Sequence, residues 1–416
     1  MDLTKIISSI HEAAEMLSNQ AEVEPQQRAA LFQACEKLSA IVEQPRSRLE
    51  KATHAMTPVV ATRIAIDMGI FDFVHNSPKD EFGAHEIASQ IRGDSLLVSR
   101  ILRFLTASGI LSVTPGGKYK PDPVVKDLAK GGYLESRIMM NFDIHSQIYA
   151  KLPQILRETQ YSSPSNAYAG PFQYVMRTEE HYFDWLKSHP IQLDAFNRTM
   201  QAGVVRDNTA RWTAIFPVSH RFQEFQSSSS SGDKRLQFVD IGGGIGHEIK
   251  ILLDTIPSLR GQFILQDLPD VIQSMLPGLK TTAATQTVQG MSYSFFEPQP
   301  VMGADVYFLG RVLHDWPDVQ ARSILLHIRD AMDETSMLLI HERVLPDGPT
   351  RVHLSDAIMD LNMMILCSSL ERTETQFRAL LESVGLKLVR VWRPKNAGLQ
   401  QQAVLEAICG DFPGDV

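Results

Sequence analysis

"VDIGGGIGHEI", residues 239–249, decides the fold. Glycines at 242, 243, 244 and 246 follow a short apolar run directly, and an amphipathic segment comes next. Strand, glycine turn and helix in that order open an α/β unit, and such a turn receives a ligand when the groups beside it suit one. The phosphate motifs do not fit. Counted from Gly242, the third glycine of a dinucleotide fingerprint would fall where His247 stands, and the Gly-Lys-Ser/Thr of a P-loop is absent.

The acids around the turn narrow the ligand. Asp240 ends the first apolar run, and a carboxylate there repels a pyrophosphate but suits a cationic or zwitterionic group. Asp267 ends the next run, where an acid can accept hydrogen bonds from both ribose hydroxyls. A ribose without phosphates beside an amino-acid ammonium describes S-adenosylmethionine. Taken alone, the glycines fit a ligand-free strand–helix turn equally well; the two acids favour a ligand.

Outward from the turn, apolar runs alternate with amphipathic segments: 236–241, 261–267, 305–310 and 336–342, with helical patterns such as "VQARSILLHIRDAM" between them. This is the signature of βα units around a buried parallel sheet. Residues 386–394 and 401–409 read as two strands joined by a short loop, which puts an antiparallel strand into the sheet. Before the sheet, "SSSSSG" (227–232) reads as an exposed flexible loop. Residues 1–50 and 58–74 are helical in pattern, as is much of 134–216. Between 83 and 122, two helical segments and a hairpin closed by Pro115-Gly116-Gly117 make a winged helix. Its presumed recognition helix offers only Arg100 and Arg103 among apolar residues, so a dimerisation module is favoured over DNA binding. A net charge of −8 also argues against a polyanionic partner. The three cysteines have no ligand spacing, no metal site is expected, and no stretch has the length of a membrane span. The expected location is cytoplasmic.

Residues 238–272 resemble the first cofactor-binding block of the class I S-adenosylmethionine-dependent O-methyltransferases, in the plant and fungal small-molecule family that includes the caffeic acid enzymes. "LHDWPD" (313–318), "HERVLPD" (341–347) and "ERTETQF" (371–377) are similar to its later blocks, in the same order. The resemblance implies a Rossmann-like, mostly parallel α/β sheet with one antiparallel C-terminal strand. It also implies an α-helical N-terminal domain containing the winged helix, with dimerisation at 1–200 and cofactor binding and catalysis at 201–416. The expected protein is a homodimer acting on a small aromatic or polyketide-like molecule, without nucleic-acid or membrane partners.

Methyl transfer to a phenol requires removal of the phenolic proton. A phenol titrates near 10 and free histidine near 6.5, a gap of roughly 5 kcal/mol. An adjacent sulfonium and a carboxylate beside the imidazole narrow that gap. His314 follows the strand at 305–310, Glu342 ends the next strand, and Glu371 precedes a helix. By resemblance His314 is the general base, with Glu342 and Glu371 bracketing it. Glu371 with Arg372-Thr373 could instead be a helix-start cluster, with Thr373 as N-cap. His327, His341 and His353 read as structural. The cofactor set implied is Asp240, Gly242, Gly244, Asp267, Leu268, Ser294, Phe295, Arg311 and Asp315, although Asp315 could equally serve the turn. Met359, Met363 and Cys367 form one stripe, which is more often core than pocket. The family lines its acceptor site with this segment and with the region carrying Met139, Met140, Phe142 and His145.

Two positions depart from the family pattern. Ser294 stands where an acid before the aromatic pair holds the adenine amine, and Gly310 stands where Lys or Arg is frequent, with Arg311 one place later. Fungal relatives have become pericyclases that keep the cofactor as a bound cation, so that activity is the alternative. A winged-helix ligand sensor is a third reading, and it would need a basic surface.

Overall fold

The computed structural model describes residues 2–18, 24–206, 211–225, 235–273, 288–350, 352–394 and 401–410. The serine run at 227–232 and most of the loop between the last two strands, 395–400, lie outside them. The chain forms two compact units, Met1–Ala65 with Glu81–Lys120, and Ile66–Asp80 with Pro121–Val416.

In the first unit, helices Ala84–Gln90 and Ser95–Ala107 precede strands β1 (Leu111–Val113) and β2 (Tyr119–Pro121), which pair in a two-stranded sheet. Asp94 caps the second helix by accepting the Leu97 N–H at 2.9 Å, and the Pro-Gly-Gly turn closes the wing. Val98, Ile101, Leu102 and Leu105 bury one face of that helix. Pro45 starts a new helix at its first position instead of merely breaking one.

The second unit is built on a seven-stranded sheet of β3 (Leu236–Ile241), β4 (Gly261–Asp267), β5 (Val288–Ser292), β6 (Val306–Gly310), β7 (Met337–Arg343), β8 (Leu386–Trp392) and β9 (Gln402–Cys409). The order is β5-β4-β3-β6-β7-β9-β8, parallel except for β9, which runs antiparallel to both of its neighbours. The expected antiparallel strand is therefore present, inserted between β7 and β8. Strand β5 has no counterpart among the apolar runs. "VQGMS" is an edge strand with one buried residue, so it never needed to be apolar.

Period-two alternation sends Val239, Ile241, Tyr307, Leu309 and Ile340 to one face, under helices Asp318–Ala331 and Glu374–Glu382. It sends Phe238, Leu265, Phe308 and Leu339 to the other, under Trp212 and helix His247–Thr255. Truncating one fully buried ring such as Phe308 to alanine would cost about 3–5 kcal/mol. Strand β3 lies between β4 and β6, so the chain crosses over there and the strand ends open a crevice at that switch point. The helical region before the sheet is less regular than its pattern suggests. Residues 141–145 form a π-helical turn between Tyr133–Met140 and Ser146–Glu158.

Candidate active site

The glycine turn leaves β3 with Gly242, Gly244 and Gly246 all at positive φ. Gly243 is required for space: a Cβ there would lie 2.4 Å from Leu265 and 2.6 Å from Asp240. A Cβ at Gly244 would meet nothing within 4 Å, so the open side of the turn is at this residue. The Gly244 N–H donates to Asp267 Oδ2 at 2.8 Å, and the Leu268 N–H donates to Oδ1 at 2.7 Å. Asp267 is thus fixed by main chain, with a lone pair left on each oxygen. Burial pushes its pKa up, and these two amides pull it back.

Asp240 does something else. Its side chain is 1 % exposed beneath Gly243, and neither oxygen has a hydrogen-bond partner. Burial, then Glu248 and Asp267, push its pKa well above the usual range. It shapes the turn from behind instead of presenting a charge at the open side. Gly242, Gly244, Asp267, Leu268, Ser294 and Phe295 keep partial access on the open side. An acid fixed to receive two hydroxyls beside an open turn fits the ribose of S-adenosylmethionine.

The next wall is aromatic. Phe295 and Phe296 meet Trp316 edge to face at 5.8 and 4.7 Å, and Trp316 stacks on His181 at 4.2 Å. Phe295 also borders the turn, 3.6 Å from where a Gly242 Cβ would be. Ser294 Oγ accepts the Phe296 N–H at 3.4 Å. Neither Trp316 nor His181 was singled out from the sequence, although Trp316 stands inside the "LHDWPD" block; His181 carried no signal. Gly310 has a packing reason, because a Cβ there would lie 2.9 Å from the Phe308 ring. Arg311 turns toward the helix, within 2.7 Å of His247 Nε2 and 3.2 Å of Glu248 Oε1.

His314 lies in the turn Leu313–Asp315 directly behind β6. Its Nδ1 is 3.1 Å from Glu371 Oε1 and 3.8 Å from Glu342 Oε2, and its Nε2 is 3.6 Å from Asp315 Oδ1. Glu342 Oε1 accepts the N–H groups of Val312, Leu313 and His314, which pins the turn to β7. Burial alone would lower the imidazole's pKa, but Glu342, Asp315 and Glu371 outweigh it and raise it to about 10. Asp315 is lifted to about 7 by burial against the pull of His314. Burial works against the Glu371 anion, yet His314 and Arg343 hold it below the ordinary range. For Glu342 burial wins and the pKa rises.

Two arginines to which the sequence assigns no site role complete this cluster. Arg343 donates to Glu371 at 3.4 Å and to Asp356 at 2.7 Å. Arg372, 1 % exposed, donates to the carbonyls of Leu313 and Trp316 and to Asp318. The dipeptide Glu371-Arg372 therefore fixes the His314 turn twice, at the ring and at the backbone. Thr373 does cap the following helix, so the helix-start reading holds together with the His314 contact. His353 caps the helix Leu354–Cys367 through Nδ1, a structural role as expected. One ligand atom from each of His314, Glu342 and Glu371 lies within 4.8 Å of the others, a grouping that sequence spacing concealed and a divalent cation could bridge. Arg343 and the three amides already engage one oxygen of each glutamate, Glu371 Oε1 and Glu342 Oε1.

Helix Leu354–Cys367 packs against both the π-helical turn and the His314 turn. Through this helix Ile365, Leu366 and Cys367 pack with buried Met140; Met363 is buried and Met359 half-buried on the same helix, and Met139, Phe142 and His145 are half-buried. His145 Nδ1 has no partner, and burial, then Arg137, lower its pKa to about 4, so the ring is neutral.

A family profile described as an O-methyltransferase domain matches residues 232–387, and one described as an O-methyltransferase dimerisation domain matches 52–131. The chain is 33% identical over 348 residues to O-methyltransferase mfmE of Annulohypoxylon moriforme, covering 83% of this chain and 82% of that protein. It is 31% identical over 350 residues to demethylsterigmatocystin 6-O-methyltransferase of Aspergillus parasiticus, covering 84% and 85%. The solved structure of LepI in complex with SAM superposes with a TM-score of 0.80 at 27% identity, over 98% of this chain and 100% of that one. A structure described as a pericyclic reaction enzyme superposes equally well.

Proposed function

The chain belongs to the S-adenosylmethionine-dependent O-methyltransferases, and from that premise we propose that it methylates a phenolic or enolic hydroxyl of a small molecule in fungal-type secondary metabolism. When bound, the cofactor supplies a methyl group on a sulfonium. Asp267 would receive the ribose hydroxyls, with Gly242, Gly244 and Leu268 along the turn and Ser294, Phe295 and Trp316 around the base. Arg311 would complete the cofactor side, and Asp315, 3.6 Å from His314 Nε2, would stand between the cofactor and the acceptor.

The single observation that carries the reading is the carboxylate setting of His314. An imidazole raised to about 10 matches a phenol near 10, so the proton transfer that is uphill for an ordinary histidine becomes nearly level. His314 takes the acceptor's proton while Glu342 and Glu371 hold the ring and stabilise the imidazolium. The Met-lined side, with Phe142 and His145, would hold a flat acceptor. We further propose a cytoplasmic homodimer in which residues 1–200 carry dimerisation and 201–416 cofactor binding, with 121–200, which belong to the same compact unit as the sheet, also lending the acceptor-side residues. Among the described residues no helix is long and apolar enough to cross a membrane.

The alternative, a pericyclase using the cofactor only as a fixed charge, draws on the superposition with the pericyclic reaction enzyme. It leaves the His314 carboxylates without a task. Incubation with S-adenosylmethionine and a panel of phenolic polyketides should give one S-adenosylhomocysteine per methylated product. Isomerised product with undiminished cofactor would favour the pericyclase instead.

A further inference from the structure

The acceptor side holds a polar pair that proton transfer leaves unused. Tyr149 Oη donates to Asn362 Oδ1 at 2.9 Å, joining helix Ser146–Glu158 to helix Leu354–Cys367, with both side chains half-buried. The amide oxygen is thereby occupied, and no side chain among the described residues takes the Nδ2 hydrogens. Tyr149 packs against a cluster of buried apolar residues that includes Met140, Ile144, Ile148, Ile365 and Leu366.

The helix sets where this donor lies. At about 100° per residue, Asn362 is roughly 60° to one side of Met359 and Asp360 roughly 100° to the other. Asp360 accepts the Glu371 N–H at 2.9 Å, and Asp356, on the same flank, holds Arg343 at 2.7 Å. Met359 and Met363 therefore form an apolar strip between the flank that supports the His314 cluster and the flank that carries the amide.

Resting on the acceptor-site reading above, we propose that Asn362 is a specificity-determining residue whose Nδ2–H donates to a second, acceptor-only oxygen of the substrate, a ring carbonyl. Tyr149 fixes the amide so that its NH₂, not its oxygen, is offered. The substrate class is then a planar phenol that also carries a ketone or quinone oxygen away from the methylated hydroxyl.

The test uses 2-hydroxyanthraquinone and 2-hydroxyanthracene, which share three fused rings and one phenol and differ in the ring carbonyls. Their binding to the full chain saturated with S-adenosylhomocysteine is measured by calorimetry. The native protein should prefer the quinone, and Asn362→Leu and Asn362→Asp should each weaken quinone binding by about tenfold, one hydrogen bond's worth. Affinity for 2-hydroxyanthracene and for S-adenosylhomocysteine should stay unchanged, which also shows that the variants are folded. Asn362→Asp keeps the shape, removes the donors and adds a negative charge, whereas Asn362→Leu removes the donors without a charge, so a quinone-specific loss in Asn362→Leu isolates the hydrogen bond and a loss at least as large is expected in Asn362→Asp. Tyr149→Phe should give a smaller loss of the same kind. A quinone preference that survives Asn362→Leu, or that is absent from the native protein, overturns the proposal. Failure of S-adenosylhomocysteine to bind would instead overturn the underlying reading.

Discussion

The two halves of the site are made of different material. On the cofactor side, main chain does the shaping: glycines at positive φ, and an acid held by two backbone N–H groups. On the acceptor side, buried side-chain charges do it: His314 among Asp315, Glu342 and Glu371, with Arg343 and Arg372 behind them. A main-chain site is local in sequence and tolerates change everywhere except at a few positions. A charged cluster is non-local, and each member depends on the others, since removing one partner leaves an uncompensated buried charge. Substitutions should therefore separate cleanly into those that change binding and those that change turnover.

The largest separation is expected at His314. His314→Ala should lower methyl transfer by about 10²–10⁴ while leaving cofactor affinity nearly intact. Near-full turnover on the native acceptor would place the base elsewhere. Asp267→Ala should do the reverse, weakening cofactor binding by roughly 2–4 kcal/mol through loss of two charge-assisted hydrogen bonds. Calorimetry with unchanged affinity would remove Asp267 from the site. Arg372→Lys tests the scaffold of the acceptor half. An ammonium cannot reach both carbonyls and Asp318 as a planar fork does, so thermal unfolding should show about 1–3 kcal/mol of lost stability. No loss would mean that the His314 turn does not need this clamp. The smallest effect is expected at Ser294, where Ser294→Asp should tighten cofactor binding by about 1 kcal/mol if the adenine amine lies within reach. Unchanged or weaker binding would show that this position is not beside the base.

The same contrast explains what the sequence could disclose. Strands β3, β4, β6 and β7 were legible because each is a buried apolar run ending in a chemically informative residue, and the glycine turn because its geometry needs glycine. Asp240 was misjudged in placement: adjacency to the turn suggests a charge facing the ligand, while the pleat sends it behind Gly243. Strand β5 and the π-helical turn carry no periodic signal of their own. The tasks of Arg343 and Arg372 were not legible because they are set by what long side chains reach across the fold, 28 residues to Glu371 and 59 to the Leu313 carbonyl. His314, Glu342 and Glu371 could be named from short motifs, but their convergence around one imidazole is a property of the folded sheet edge.

That convergence is tested most directly by the pH dependence of kcat/KM in the native protein and in Glu371→Gln. The acting species is the neutral imidazole, and the carboxylates that raise its pKa to about 10 also keep it protonated near neutrality. Activity should therefore rise with pH toward a limb near 10. Removing one carboxylate charge lowers the imidazole's pKa, so in Glu371→Gln the limb should move to lower pH while the maximum rate falls. The acceptor's own ionisation is the same with both proteins, so a shift belongs to His314. A limb that stays in place when Glu371 loses its charge would contradict the account.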